Sequence, residues 1–379
     1  MLVTVRPCLT STDRKAFIQI QKDLYRDDPN WVPPIWQVQD ELVGFRKHPF
    51  YESNACQAFV AFEGSKPVGR ILAIHNKGHI DRYQDGLGFF GFFECVNDDS
   101  VCKQLVAAAS EWLSERGLTH VRGPVNPSLN YDCGLLIDGF DTPPTFMIPY
   151  NRDYYAALLV AAGFEKVQDL FSYDADMSML ETLDPKLAFV IHEASKRFGV
   201  VCRPINRKRF DEDVRTFLNI YNQSLQGTWG YVPMSEGEVA HQAKGLKLLI
   251  VPELTSIAEI DGRPVGSGFG LLDFNPIIKR INGKLFPFGW FHLLFGKKKL
   301  KRLRLISTNV LPEYQKWGLG LVTLSRILPD AIAYGIEVGE FSWVLESNGL
   351  SRNTIERAGG RRTKILRIYD KAISPPEST

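Results

Sequence analysis

Apolar residues recur along this chain with two alternating periods, and the switches between them mark out its elements. Val3 to Thr10 alternates like an edge strand, and Ser11-Thr12-Asp13 supplies capping chemistry for a helix running to about Leu24. Gln57 to Glu63 and Val68 to His75 read as a hairpin about Glu63-Gly64-Ser65-Lys66-Pro67. Gly88 to Glu94 reads as a buried strand, Asp99 to about Gly117 as a helix and His120 to Asn126 as a strand. Tyr150 to Phe164 reads as an amphipathic helix closed by glycine, and Phe171 to Asp176 as the strand closing this first sheet. Residues near 181 to 197 form a connecting helix, after which the pattern starts again. Val201-Cys202-Arg203-Pro204-Ile205 echoes Val5-Arg6-Pro7, and Leu254 to Leu272 repeats the hairpin about Asp261-Gly262-Arg263-Pro264. Leu303 to Thr308 reads as a strand, Leu321 to Tyr334 as a helix, Glu340 to Glu346 as the last inner strand and Arg361 to Ala372 as the strand closing the second sheet. Ser374 to Thr379 is a polar tail expected to fray.

Length turns this weak repeat into two domains, because 379 residues at 44% hydrophobic content exceed one ordinary core. The expected division is 1–180, a connecting helix over 181–199, and 200–379 with an insertion at 274–301. Lys+Arg 45 against Asp+Glu 43 gives a net +2, which points to no nucleic-acid partner. Cys8, Cys56, Cys95, Cys102, Cys133 and Cys202 are scattered without a Cys-x-x-Cys, which argues against a disulfide framework or a zinc ribbon and fits a reducing cytoplasm. No apolar run approaches the roughly 18 residues a membrane span needs. His75-x-x-x-His79 straddles a strand end without a third ligand nearby and reads as structural, so no metal is expected.

The chemistry concentrates between the strand at 303 and the helix at 321, in Asn309-Val310-Leu311-Pro312-Glu313-Tyr314-Gln315-Lys316-Trp317-Gly318-Leu319-Gly320. A strand that turns through glycines into a helix leaves N–H groups unpaired at the positive end of the helix dipole, where a pyrophosphate can sit. Gln-x-x-Gly-x-Gly with Val-x-Pro upstream resembles the acyl-CoA signature of the GNAT acyltransferase superfamily. The first half resembles a group of bacterial two-domain GNAT-like proteins, through Trp31-Val32-Pro33-Pro34, Gly91-Phe92-Phe93-Glu94, Gly139-Phe140-Asp141-Thr142-Pro143-Pro144 and Tyr150-Asn151. The resemblance implies a mixed α/β (α+β) fold of two tandem GNAT-like domains, each a mostly antiparallel mixed sheet flanked by helices. It implies acetyl-CoA or another acyl-CoA as co-substrate, with the thioester carbonyl near Val310 and Leu311 and the pyrophosphate at the amides of Gln315, Lys316, Trp317, Gly318, Leu319 and Gly320. Asn348 or Asn353 matches the asparagine before the family's late helix.

Such an enzyme passes an acyl group, expected here to be acetyl, to the amine of a small molecule or peptide. Many relatives place a proton-donating tyrosine seven positions after that asparagine, but here Ile355 stands there, with Tyr369 and Tyr334 as poor substitutes. Glu346, at the end of a strand that splays from the one at 303, is the candidate general base, a solvated strand-end carboxylate being the plainer reading. A domain that only binds acyl-CoA, as a regulatory module, is the second hypothesis, and transfer of a long acyl chain from acyl-CoA or an acyl carrier protein, favoured by the insertion at 274–301, is the third. The first domain has Asp98 and Asp99 where the phosphate turn would stand, and carboxylates at a helix start fill its amides and repel phosphate. Its polar residues Asn126, Ser128, Asn130, Tyr150 and Asn151 are a candidate acceptor pocket, or plain turn caps. The insertion mixes Leu285, Phe286, Phe288, Trp290, Phe291, Leu293, Leu294 and Phe295 with Lys297, Lys298, Lys299, Lys301 and Arg302. It reads as a helical flap, as a lid for a long acyl chain, or as a surface over 285–302 for anionic lipid or an acyl carrier protein.

Overall fold

A computed structural model describes residues 2–180 and 184–373. The chain divides into two compact units, one comprising the residues through Leu170, Asn282–Lys284 and those from Lys364 onward, the other Phe171–Ile281 and Leu285–Thr363. Positions 181–183 of the expected connecting segment and the tail from Ser374 lie outside the described residues.

The first unit runs β1 (Val3–Pro7), α1 (Ser11–Leu24), α2 (Trp36–Leu42), β2 (Ala55–Glu63), β3 (Lys66–His75), α3 (Lys77–Tyr83), β4 (Leu87–Cys95), α4 (Asp99–Ser114), β5 (His120–Gly123), β6 (Val125–Asn126), β7 (Asp132–Cys133), β8 (Leu135–Asp138), α5 (Tyr155–Ala161) and the first half of β9 (Glu165–Asp176). Thr10 opens α1 with a reciprocal cap: its hydroxyl accepts from the Asp13 N–H at 3.2 Å, and the Asp13 carboxylate accepts from the Thr10 N–H at 3.0 Å. Strands β1 to β4 pair antiparallel in order, and β4 then lies parallel to β5 from Leu87 to Phe89. Every residue of β4 is buried, as its unbroken apolar run requires. Phe90 and Phe93 pack with Leu105 and Leu113 of α4 and Leu158 of α5, each such side chain contributing about 1.5–3 kcal/mol of burial.

The second unit takes the rest of β9 and then α6 (Met177–Leu180), α7 (Pro185–Phe198), β10 (Val201–Arg203), α8 (Phe210–Ser224), α9 (Glu236–Leu246), β11 (Thr255–Ile260), β12 (Arg263–Leu272), α10 (Asn275–Arg280), α11 (Gly289–Phe295), β13 (Arg302–Val310), α12 (Leu319–Tyr334), β14 (Val338–Leu345), α13 (Gly349–Arg357) and the start of β15 (Arg361–Ala372). Strands β10 to β13 again pair antiparallel in order, and β13 is parallel to β14. The repeat extends to single contacts. Arg6 meets Asp13 at 3.0 Å and Arg203 meets Asp213 at 2.8 Å, each arginine standing before a proline. Gly69 lies opposite Cys95 in the first sheet as Gly266 lies opposite Val310 in the second.

Two expectations are corrected. The closing strands are exchanged: β9 from Phe171 onward belongs to the second unit, and β15 from Lys364 onward returns to the first, where Tyr369 stands opposite Gly123 of β5. A period of two shows that a strand has a buried face, and it does not say in which sheet. The helix expected from Tyr150 begins only at Tyr155, because the Asn151 amide is spent on β8 and holds the chain extended.

Candidate functional site

The last turn of β13 and the first of α12 hold the residues that the sequence singled out. β13 pairs with β14 only from Arg302–Val338 to Leu305–Phe341, although the strands continue to Val310 and Leu345. A bulge at Ile306 falls where the pairing stops, since Ser307 lies opposite Phe269 while Leu305 lies opposite Gly270. Behind the divergence, Arg304 donates through Nε to Ser342 Oγ at 2.9 Å and Arg302 reaches Glu340 at 2.9 Å, pinning the paired end. Beyond Leu305 the two strands open into a gap.

Backbone direction decides which groups face that gap. The Leu311 N–H donates to Val265 O at 2.9 Å, so Leu311 and Asn309 direct their amides toward β12. Alternation turns the N–H groups of Thr308 and Val310 the other way, toward the opening. Of the two positions expected beside a thioester carbonyl, Val310 therefore has a usable N–H and Leu311 does not; Thr308, which the sequence reading missed, has another.

Gln315 serves the loop itself. Its Nε2 donates to Ser224 O at 3.0 Å and Val310 O at 3.1 Å, and its own N–H donates to Pro312 O at 3.3 Å. Lys316 and Gly318 take φ values of 68° and 81°, which turn the chain into α12. The Leu321 and Val322 N–H groups donate to Gly318 O. Among the described residues no acceptor is bonded to the N–H groups of Lys316, Trp317, Gly318, Leu319 or Gly320, which stand at the positive end of a 16-residue helix. Lys316 and Trp317 are exposed, whereas Leu319 is a core residue.

The turn has a backing that the sequence did not reveal. A Cβ on Gly318 would lie 2.5 Å from Val190 Cγ1 and 3.6 Å from Ala194 Cβ, both on α7. Arg197 sits 4.0 Å over the Trp317 ring, and Phe198 lies edge-on to Tyr314 and Trp317. The helix expected to be a connector thus shapes the turn. Gly320 differs: its Cβ would meet only Thr308 Cγ2 at 3.4 Å and Val310 Cγ2 at 4.0 Å, at the mouth of the gap.

The remaining candidates are dispersed. Asn348 caps α13 by accepting from the Ser351 N–H at 3.1 Å, and Asn353 is exposed along that helix. Glu346 is half-buried just past the end of β14. Ile355 packs against the Gly360 turn, whose N–H bonds to Ile355 O. Tyr369 is buried in the first unit and Tyr334 ends α12 about 24 Å from Gly318, so neither stands at the gap.

In the first unit the same architecture is closed from within. Phe92 gives its N–H to Asn126 Oδ1 at 2.7 Å, and Cys95, at the register position of Val310, gives its N–H to Tyr155 Oη at 3.0 Å. Gly91 admits β6 so closely that a Cβ would lie 1.8 Å from Val125 O. Asp98 accepts from the Ser100 and Val101 N–H groups and fills the start of α4. Asn151 bonds Leu136 through both ends of its amide, Ser128 Oγ accepts from the Asn130 N–H, and Tyr150 donates to Asp28 at 3.2 Å. Burial beside Asp28 pushes the Tyr150 phenol up to about 12, so it stays protonated and donates to that carboxylate. Behind this filled gap Glu94 accepts from Tyr25 and Tyr155 and faces Arg70, with burial pushing its carboxyl up. His79 is buried, pairs with Asp85 at 3.1 Å and stacks on Tyr83. Among the described residues no group of three His, Cys, Asp or Glu could hold a metal, and no helix is long and apolar enough to cross a membrane.

These features define a protein of two tandem units of the GNAT fold. The structure aligns with a tandem GNAT protein from the clavulanic acid biosynthesis pathway at TM-score 0.58 and 12% identity, over 99% of this chain and 100% of that one. It aligns with a GCN5-related N-acetyltransferase from Sphaerobacter thermophilus at TM-score 0.53 and 13% identity, over 100% and 98%. No protein-family model matches the chain. In sequence it is 37% identical to Protein YghO of Escherichia coli over 375 residues, 97% of this chain and 95% of that protein. It is 34% identical to the bacterial ceramide synthase of Caulobacter vibrioides over 387 residues, 98% of each. The chain belongs to the family of these two proteins.

Proposed function

We propose that the second unit binds an acyl-CoA in the gap between β13 and β14 and passes its acyl group to the amine of a long-chain amino alcohol. The observation that carries this reading is the contrast between two copies of one fold. Cys95 spends its N–H on Tyr155 and α4 is capped by a carboxylate, whereas the Val310 N–H faces an opening and α12 begins with bare amides. Coenzyme A pyrophosphate suits the amides of Lys316 to Gly320, and a thioester carbonyl suits the N–H of Val310 or Thr308. The amine nitrogen attacks the thioester carbon, the carbon–sulfur bond breaks, and the products are an amide and the thiol of coenzyme A. Glu346 is the assigned base for the ammonium proton. The nature of the relative named a ceramide synthase, an enzyme that acylates a long-chain base, favours a long acyl chain over acetyl.

The experiment is to mix the purified chain with palmitoyl-CoA and sphinganine, measuring free thiol and amide together. Amide and thiol in equal amounts support the proposal. A second reading, acyl-CoA binding without transfer, is favoured by Ile355 at the place of the proton donor. Tight palmitoyl-CoA binding with no thiol released by any amine would establish that reading instead.

A further inference from the structure

The insertion between β12 and β13 presents a surface that acyl transfer does not use. It leaves β12 at Leu272 and rejoins the sheet at Arg302, the paired end of β13, about 26 Å along the strand from Val310. Its helix α11 buries Gly289 and Leu293, one turn apart, toward the unit. The remaining face is apolar and open: Trp290 is 40% exposed, Phe291 46% and Phe295 67%, and the preceding Phe286 and Phe288 are 67% and 71% exposed. The rings are ordered among themselves, with Trp290 and Phe291 centroids 4.3 Å apart and Phe291 stacked on Phe295 at 5.1 Å.

Charge identifies what covers them. Phe274 to Lys301 holds Lys279, Arg280, Lys284, Lys297, Lys298, Lys299 and Lys301 and no Asp or Glu, in a chain whose net charge is only +2. Lys298 and Lys299 are exposed immediately beyond α11. A second copy of this chain would set lysines against lysines across a two-fold axis. An acidic protein would satisfy the lysines but would not call for a ridge of bare aromatic rings. Aromatic rings beside lysines form the composition of a helix lying in the headgroup layer, with rings in the acyl boundary and ammonium groups at lipid phosphates.

We infer that α11 and the lysines after it dock this protein on the surface of an anionic lipid bilayer. The test uses the full chain, sedimented with vesicles of phosphatidylcholine alone or with one quarter phosphatidylglycerol, and with no acyl donor present. Vesicle binding is thereby separated from acyl transfer, and either can fail alone. Partitioning is expected to rise about tenfold on the anionic vesicles and to fall with salt. Trp290→Ala with Phe291→Ala should lose at least tenfold on both kinds of vesicle, and Lys298→Glu with Lys299→Glu should abolish only the anionic preference. Both pairs are exposed, and unchanged melting temperatures will show that the fold is intact. Vesicle binding unaffected by both pairs would overturn the inference. So would absence of vesicle binding, whether Phe291 instead governs self-association or capture of an acyl carrier protein.

Discussion

Two glycines two positions apart have different reasons to be glycine. Gly318 is held at positive φ against Val190, so Gly318→Ala should destabilise the second unit by about 1–3 kcal/mol, read as a lower melting temperature. Gly320 has room behind it and faces the gap. Gly320→Leu should therefore leave melting unchanged and weaken palmitoyl-CoA binding by about 2 kcal/mol in calorimetric titration; unchanged affinity would refute the assigned pyrophosphate site. Arg203 and Asp213 make a different prediction. Burial works to raise the Asp213 carboxyl, but its bonds to Arg203 and the Asn206 N–H outweigh burial and hold it below the usual range. A carboxyl lowered in the folded state adds stability above its unfolded value of about 3.9, and that stability disappears as the pH falls through the folded value. Arg203→Met should cost roughly 3 kcal/mol near neutrality, with the gap to wild type in urea melts shrinking steadily below about pH 3.5.

At the scale of elements, α7 is the surprise. Its sequence shows an amphipathic helix, and its apolar face announces only that something covers it. That the cover is the α12 turn is a tertiary fact, carried by Val190, Ala194 and Phe198. Phe198→Ala should loosen the turn, lowering the melting temperature and weakening acyl-CoA binding several-fold in the same preparation; a change in stability alone would make α7 mere support. The turn itself was legible because glycine spacing and strand-to-helix chemistry are local. The direction of the Leu311 N–H was not, since it depends on the register with Val265. The candidate asparagines were ambiguous for the same reason: an amide that bonds Leu136 or Phe92 has the same letter as one that bonds a ligand.

For the whole molecule, one open and one internally closed unit predict stoichiometry. One palmitoyl-CoA should bind per chain, and a titration yielding two would mean that the first gap opens. Asn126→Ala should cost about 1–3 kcal/mol by stranding the Phe92 N–H while leaving that number at one. The fold class, the repeat and the open strand-helix turn could be read from local pattern, whereas the assignment of closing strands could not. That exchange also bears on how the protein is made. A ribosome releases the first unit's residues through Leu170 long before Lys364, and at ordinary elongation rates the delay is roughly 10–40 s. Throughout that interval β5 has no β15 beside it, so the nascent N-terminal half emerges with an unfinished sheet edge open to pairing with other strands until translation nears its end.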